Sequence, residues 1–174
     1  ALYLATYILA FSAPKSYHRY YWGAIFTISS FIGILLFFIG SQFSLASQVV
    51  LYLVVLFSGC MICHGELYNA RPDSRALTTF YLWLAFGGVL GSLFTAGLAT
   101  NLFSQYYEFV IALGLILVVC VFVKATSMLY RISMAVSACL FLAVALFLNN
   151  QFNQFNIFEA RNFYGTVAVK DVET

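Results

Sequence analysis

Residues 23–40 run Gly-Ala-Ile-Phe-Thr-Ile-Ser-Ser-Phe-Ile-Gly-Ile-Leu-Leu-Phe-Phe-Ile-Gly without one charged side chain. As a helix this run reaches about 27 Å, close to the ~30 Å hydrocarbon core of a bilayer. In lipid the backbone must satisfy its own hydrogen bonds, so such a run is a helix. Its apolar residues are continuous rather than alternating, which excludes a barrel strand. Comparable runs cover 1–13, about 46–63, about 77–99, about 106–123 and a last one ending near 148. The pattern predicts an all-α, polytopic membrane helix bundle with five to six transmembrane helices.

Composition supports this. Charged residues make up 8% of the 174 residues and hydrophobic ones 63%, with a mean hydropathy of +0.95. A soluble domain carries about 25% charged residues. Most of the surface must therefore face lipid, and the lipid bilayer is the first partner implied. The net charge of +2 is too small and too scattered for nucleic-acid binding.

The basic residues set an orientation. Lys15 and Arg19 follow the first run, Arg71 and Arg75 follow the third, and Lys124 and Arg131 bracket the turn after the fifth. The loops after the second and fourth runs have neither Lys nor Arg. Cytoplasmic loops are enriched in Lys and Arg, so loops 14–22, 64–76 and 124–131 are expected in the cytoplasm, in keeping with a bacterial inner membrane. Tyr17, Tyr20, Tyr21 and Trp22 form an aromatic belt at the first boundary. The run 1–13 reaches only about 20 Å as a helix, so the chain is expected to be a piece of a longer membrane protein.

The domain reading is 1–148 as the transmembrane domain and 149–174 as a linker plus the first strand of a soluble domain. Residues 149–160 are rich in Asn, Gln and Phe, and Thr166, Val167, Val169 and Val172 give a β-branched alternation. The predicted tail is short and β-like.

Polar side chains are scarce enough that each is a candidate. His64 and Glu66 sit at a membrane boundary, where ionisable residues are functional candidates by default. With Arg71 and Arg75 they form the candidate cluster, and an interfacial ion pair of Glu66 with Arg71 or Arg75 is the plainer alternative. Gly87, Gly88, Gly91, Ser92 and Ala96 fall at spacings that let another helix approach closely. Cys60-Met61-Ile62-Cys63-His64 matches the Cys-x-x-Cys-His pattern of c-type haem attachment. That chemistry belongs to the extracytoplasmic side, whereas the charge rule puts His64 inside. Zinc ligation by Cys60, Cys63, His64 and Glu66 would require one helix end to present all four groups. The cysteines, with Cys120 and Cys139, read as small apolar residues packed between helices. No metal site, no cofactor and no nucleophile–base–orienter set is expected in the chain.

Cys63-His64-Gly65-Glu66-Leu67, then Arg71-Pro72, Leu77-Thr78-Thr79-Phe80-Tyr81-Leu82 and Gly87-Gly88-Val89-Leu90-Gly91 resemble the membrane portion of integral-membrane spermidine synthase homologues. The opening Leu2-Tyr3-Leu4-Ala5-Thr6-Tyr7-Ile8-Leu9-Ala10-Phe11 and the closing Arg161-Asn162-Phe163-Tyr164-Gly165 resemble it too. The resemblance implies a multi-pass region joined to an aminopropyltransferase-type domain. It implies decarboxylated S-adenosylmethionine and a polyamine as substrates of the longer protein. Its partners would be that soluble domain or further membrane helices. No catalytic residue carries over to these positions. A small-molecule transporter or channel module, and a scaffold subunit of a membrane complex, are the alternative readings.

Overall fold

The computed structural model describes residues 1–123, 127–153, 156–162 and 165–170. Lys124, residues 154–155, Phe163, Tyr164 and Val172, on which parts of the loop and tail expectations rest, lie outside the described residues. The described chain is all-helical apart from one short ladder. Its helices are α1 (Leu2–Ser12), α2 (Arg19–Ile39), α3 (Leu45–Asn69), α4 (Leu77–Leu93), α5 (Thr100–Leu102), α6 (Tyr107–Phe122) and α7 (Met128–Asn153). Strands β1 (Asn156–Asn162) and β2 (Gly165–Lys170) pair antiparallel, with Arg161 opposite Thr166 and Asn162 opposite Gly165.

Four helical stretches are long and apolar enough to cross a membrane: Arg19–Ile39, Leu45–Asn69, Ser74–Leu102 and Met128–Phe152. α1 and α6 are apolar but shorter. The chain divides into two units, residues 1–70 with 112–148, and residues 71–111 with 149–174.

In the first unit the core lies where α3 meets α2 and α1. Phe26, Ile34 and Leu36 of α2 are buried, as are Val55, Met61 and Ile62 of α3. Lipid tails are as apolar as these side chains, so close packing and hydrogen bonds hold membrane helices together. Both are present. Ser29 and Ser58 hydrogen-bond at 2.8 Å inside the α2–α3 contact, worth roughly 0.6 kcal/mol by the average for such bonds. Gly59 lets the Phe26 ring lie on α3, because a Cβ there would stand 3.1 Å from Phe26 Cε2. α3 starts at Ser44, whose hydroxyl caps the Ser47 amide at 3.3 Å. It stops just before Arg71-Pro72, a pair that disfavours helical backbone.

The small-residue face expected to seat a neighbour on α4 carries none among the described residues. A Cβ added at Gly87, Gly88 or Gly91 would meet nothing within 4 Å, and Ser92 and Ala96 are exposed. Close approach through small residues is found between α2 and α3. The run expected as one helix to about 99 also changes pitch: Phe94–Ala99 winds as a π-helix before α5. Ser92, Thr95 and Thr100 turn their hydroxyls back onto carbonyls of their own helix, a contact that bends helices. α7 continues to Asn153, past the expected end near 148, and β1 begins inside the stretch expected as linker.

Candidate functional site

The polar residues of the first unit converge on the last turns of α3. Residues 64, 65 and 66 are consecutive on a helix, so they face directions about 100° apart and meet different neighbours. Each meets one.

Glu66 is taken by α2 and by the turn before it. Arg19 donates Nε to Oε1 at 2.6 Å and Nη2 to Oε2 at 2.7 Å. Tyr17 donates its hydroxyl to Oε1 at 2.5 Å. The two charged side chains are 18% and 12% exposed. A planar guanidinium matches a carboxylate in this forked geometry, which fixes direction as well as charge. The sequence offered Arg71 or Arg75 as the partner of Glu66. The partner is Arg19, and Arg71 and Arg75 belong to the second unit.

Tyr17 reaches Glu66 because residue 65 is glycine. A Cβ at Gly65 would run into the Tyr17 ring. The ring therefore lies flat against the α3 backbone. Burial, and then the hydrogen bond to Glu66 and its charge, push the Tyr17 phenol well above the usual tyrosine range. The phenol thus acts as a fixed donor.

His64 turns the other way, toward α1, and is 4% exposed. Its Nδ1 lies 3.0 Å from Thr6 Oγ1. The Thr6 hydroxyl donates to its own helix, 2.9 Å from the Tyr3 carbonyl. It has one proton, so with that proton on the Tyr3 carbonyl it accepts from His64 Nδ1–H. The edges of Tyr3 and Tyr7 pack against the imidazole at centroid distances of 4.7 and 5.4 Å. Phe11 and Tyr68 continue the contact between α1 and α3 at 5.4 Å.

Beside the ion pair a cleft of about 880 Å³ opens, lined by Tyr17, His18, Arg19, Tyr20, Glu66 and Asn69 among others. Tyr20 accepts the Ser127 amide at 3.4 Å, and its ring meets Tyr130 edge-on at 5.0 Å. Tyr130 lies over Gly23, where a Cβ would stand 2.6 Å from the hydroxyl.

Comparison with known protein families, characterised proteins and solved structures gave no match. The site is therefore read from its own chemistry. Its acid is neutralised by Arg19 and its one buried imidazole is held by Thr6, so it is built to hold shape and to present a polar, aromatic mouth. Among the described residues no three His, Cys, Asp or Glu side chains are grouped to hold a metal ion. Cys63 is exposed while the adjoining His64 is buried, so the Cys-x-x-Cys-His run does not present its groups to one point. Of the cysteines read as packed between helices, Cys120 is buried and Cys60 half-buried, whereas Cys63 and Cys139 are exposed.

Sequence reasoning singled out His64 and Glu66 but missed Thr6, Tyr17, Arg19 and Gly65 as their partners. No spacing encodes a contact across 47 residues. One signal was available: the charge rule sends loops 14–22 and 64–76 to the same face, which makes Arg19 a neighbour of Glu66.

Proposed function

We propose that the chain is the membrane-embedded part of a spermidine synthase-like protein, anchoring or feeding an aminopropyltransferase-type domain in polyamine metabolism. The observation that carries this reading is the run Cys63-His64-Gly65-Glu66-Leu67, the heart of the resemblance. In it His64, Gly65 and Glu66 each make a separate, close contact with α1, with Tyr17 or with Arg19. In this reading α1 and α6 add to the four long helices to give five or six crossings. Loops 14–22, 64–76 and 124–131 face the cytoplasm, and the β1–β2 ladder is the entry to the soluble domain. Decarboxylated S-adenosylmethionine and a polyamine are the substrates of the longer protein. The test is product analysis of the longer protein supplied with the nucleoside and putrescine. Spermidine is expected, and its absence with every polyamine offered overturns the proposal.

One observation favours a second reading, a small-molecule transporter or channel module. The cleft of about 880 Å³ at Tyr17, Arg19 and Glu66 has the size of a small-molecule site and polar groups at a helix boundary. Flux of polyamines into proteoliposomes that Glu66→Gln abolishes supports this reading, and flux indifferent to that change counts against it.

A further inference from the structure

The second unit contains an ion pair that the sequence reading did not foresee. Arg161 of β1 donates Nη2 to Glu108 Oε1 at 2.6 Å and Nη1 to Glu108 Oε2 at 3.0 Å. Nη1 also reaches the Gln105 carbonyl at 3.0 Å. The guanidinium carbon sits 4.3 Å from the centre of the Tyr106 ring. The Arg161 side chain is 7% exposed and that of Glu108 15%. A forked carboxylate, a carbonyl and an aromatic face together use most of what a guanidinium offers. Glu108 stands in the first turn of α6, where the helix dipole favours an acid.

This arrangement bears on membrane sidedness. A strand whose arginine grips the turn before α6 is on the same side of the bilayer as that turn. The turn lies within a stretch, 77–123, with no Lys or Arg, whereas Arg71 and Arg75 lie at the other end of the Ser74–Leu102 crossing. The charge rule therefore puts the turn outside the cytoplasm. Arg161 is neutralised by Glu108, which leaves Lys170 as the one other Lys or Arg in the tail to oppose that placement.

We infer that the β1–β2 ladder is docked by Arg161 onto the start of α6 on the extracytoplasmic face. The inference rests on this ion pair and on the charge distribution, not on the aminopropyltransferase reading. For that reading it has a consequence: a domain continuing from the ladder meets its nucleoside and polyamine outside the cytoplasm.

The test uses the full chain in a bacterial host, with Cys60, Cys63, Cys120 and Cys139 replaced by alanine. Thr166→Cys, Ser104→Cys and Ser74→Cys are introduced singly and exposed to a membrane-impermeant maleimide. Thr166→Cys and Ser104→Cys are expected to react in intact spheroplasts, and Ser74→Cys only after lysis. Reaction of Thr166→Cys only after lysis, or on the opposite face from Ser104→Cys, overturns the inference. Glu108→Arg and Arg161→Glu, each alone, are expected to raise protease cleavage of the tail several-fold in intact spheroplasts, and the double reversal to restore protection. Unchanged cleavage in the single variants, or no restoration in the double, overturns the docking role of Arg161.

Discussion

Arg19 holds Glu66 through two parallel contacts, 2.6 and 2.7 Å long, joining the start of α2 to the end of α3. Removing one partner strands the other charge in a poorly hydrated site, which costs about 3–5 kcal/mol for a fully buried pair. These side chains keep some exposure, so the lower end of that range is expected for Arg19→Gln or Glu66→Gln. The double variant is expected to lose less than the sum of the singles, because it leaves no orphan charge. Unfolding of the four proteins in mixed micelles measures the coupling, and additive losses would mean that the pair is not made.

Glycine substitutions separate two faces. Gly65→Ala drives a methyl into the Tyr17 ring and is expected to destabilise by about 1–3 kcal/mol, as overpacking does. Gly87→Ala and Gly88→Ala meet open space. Alanine is the better helix former by about 1 kcal/mol, so these two are expected to be neutral or stabilising. Thermal unfolding in detergent distinguishes them. A tolerated Gly65→Ala would show that Tyr17 does not lie against α3.

Tyr17 gives a pH signature. Its folded phenol titrates above the usual tyrosine range because of burial and of Glu66, while the unfolded phenol titrates near ~10. The raised value means that the native state favours the neutral form. That stabilisation is complete below about pH 10 and is lost as pH rises further, because only the unfolded chain ionises. Tyr17→Phe is expected to remove this part of the alkaline loss. Tyrosinate absorbance of native wild type and Tyr17→Phe should be the same near pH ~11; an extra tyrosinate in the wild type would contradict the buried, bonded phenol.

Thr6 and His64 provide a test of the α1–α3 contact. Thr6→Val keeps the shape but removes the acceptor for His64 Nδ1, and an unsatisfied buried polar group costs about 1–3 kcal/mol. Thr6→Ser keeps the hydroxyl and is expected to retain most of the stability. Equal losses in the two variants would assign the effect to packing and not to the hydrogen bond.

The helices were legible in the sequence because continuous apolar runs such as 23–40 allow few other structures in lipid. His64 and Glu66 were legible because ionisable groups are rare beside such runs. Their partners were not. Thr6 sits inside an apolar segment and looks like any small helix residue until α1 is laid on α3. Tyr17 passed for part of the aromatic belt, and Gly65 for a neutral spacer between two polar side chains. The small residues of α4 were more conspicuous than Ser29, Ser58 and Gly59, yet the close contact forms at the latter. Composition records which faces are able to approach closely, but which of them meet is set by three-dimensional fit.

The most direct measurement of the proposed role is methylthioadenosine release by the longer protein reconstituted in liposomes with decarboxylated S-adenosylmethionine. Release that requires putrescine or another polyamine is the expected result. A folded, reconstituted protein that releases no methylthioadenosine with any polyamine would contradict the spermidine synthase-like reading.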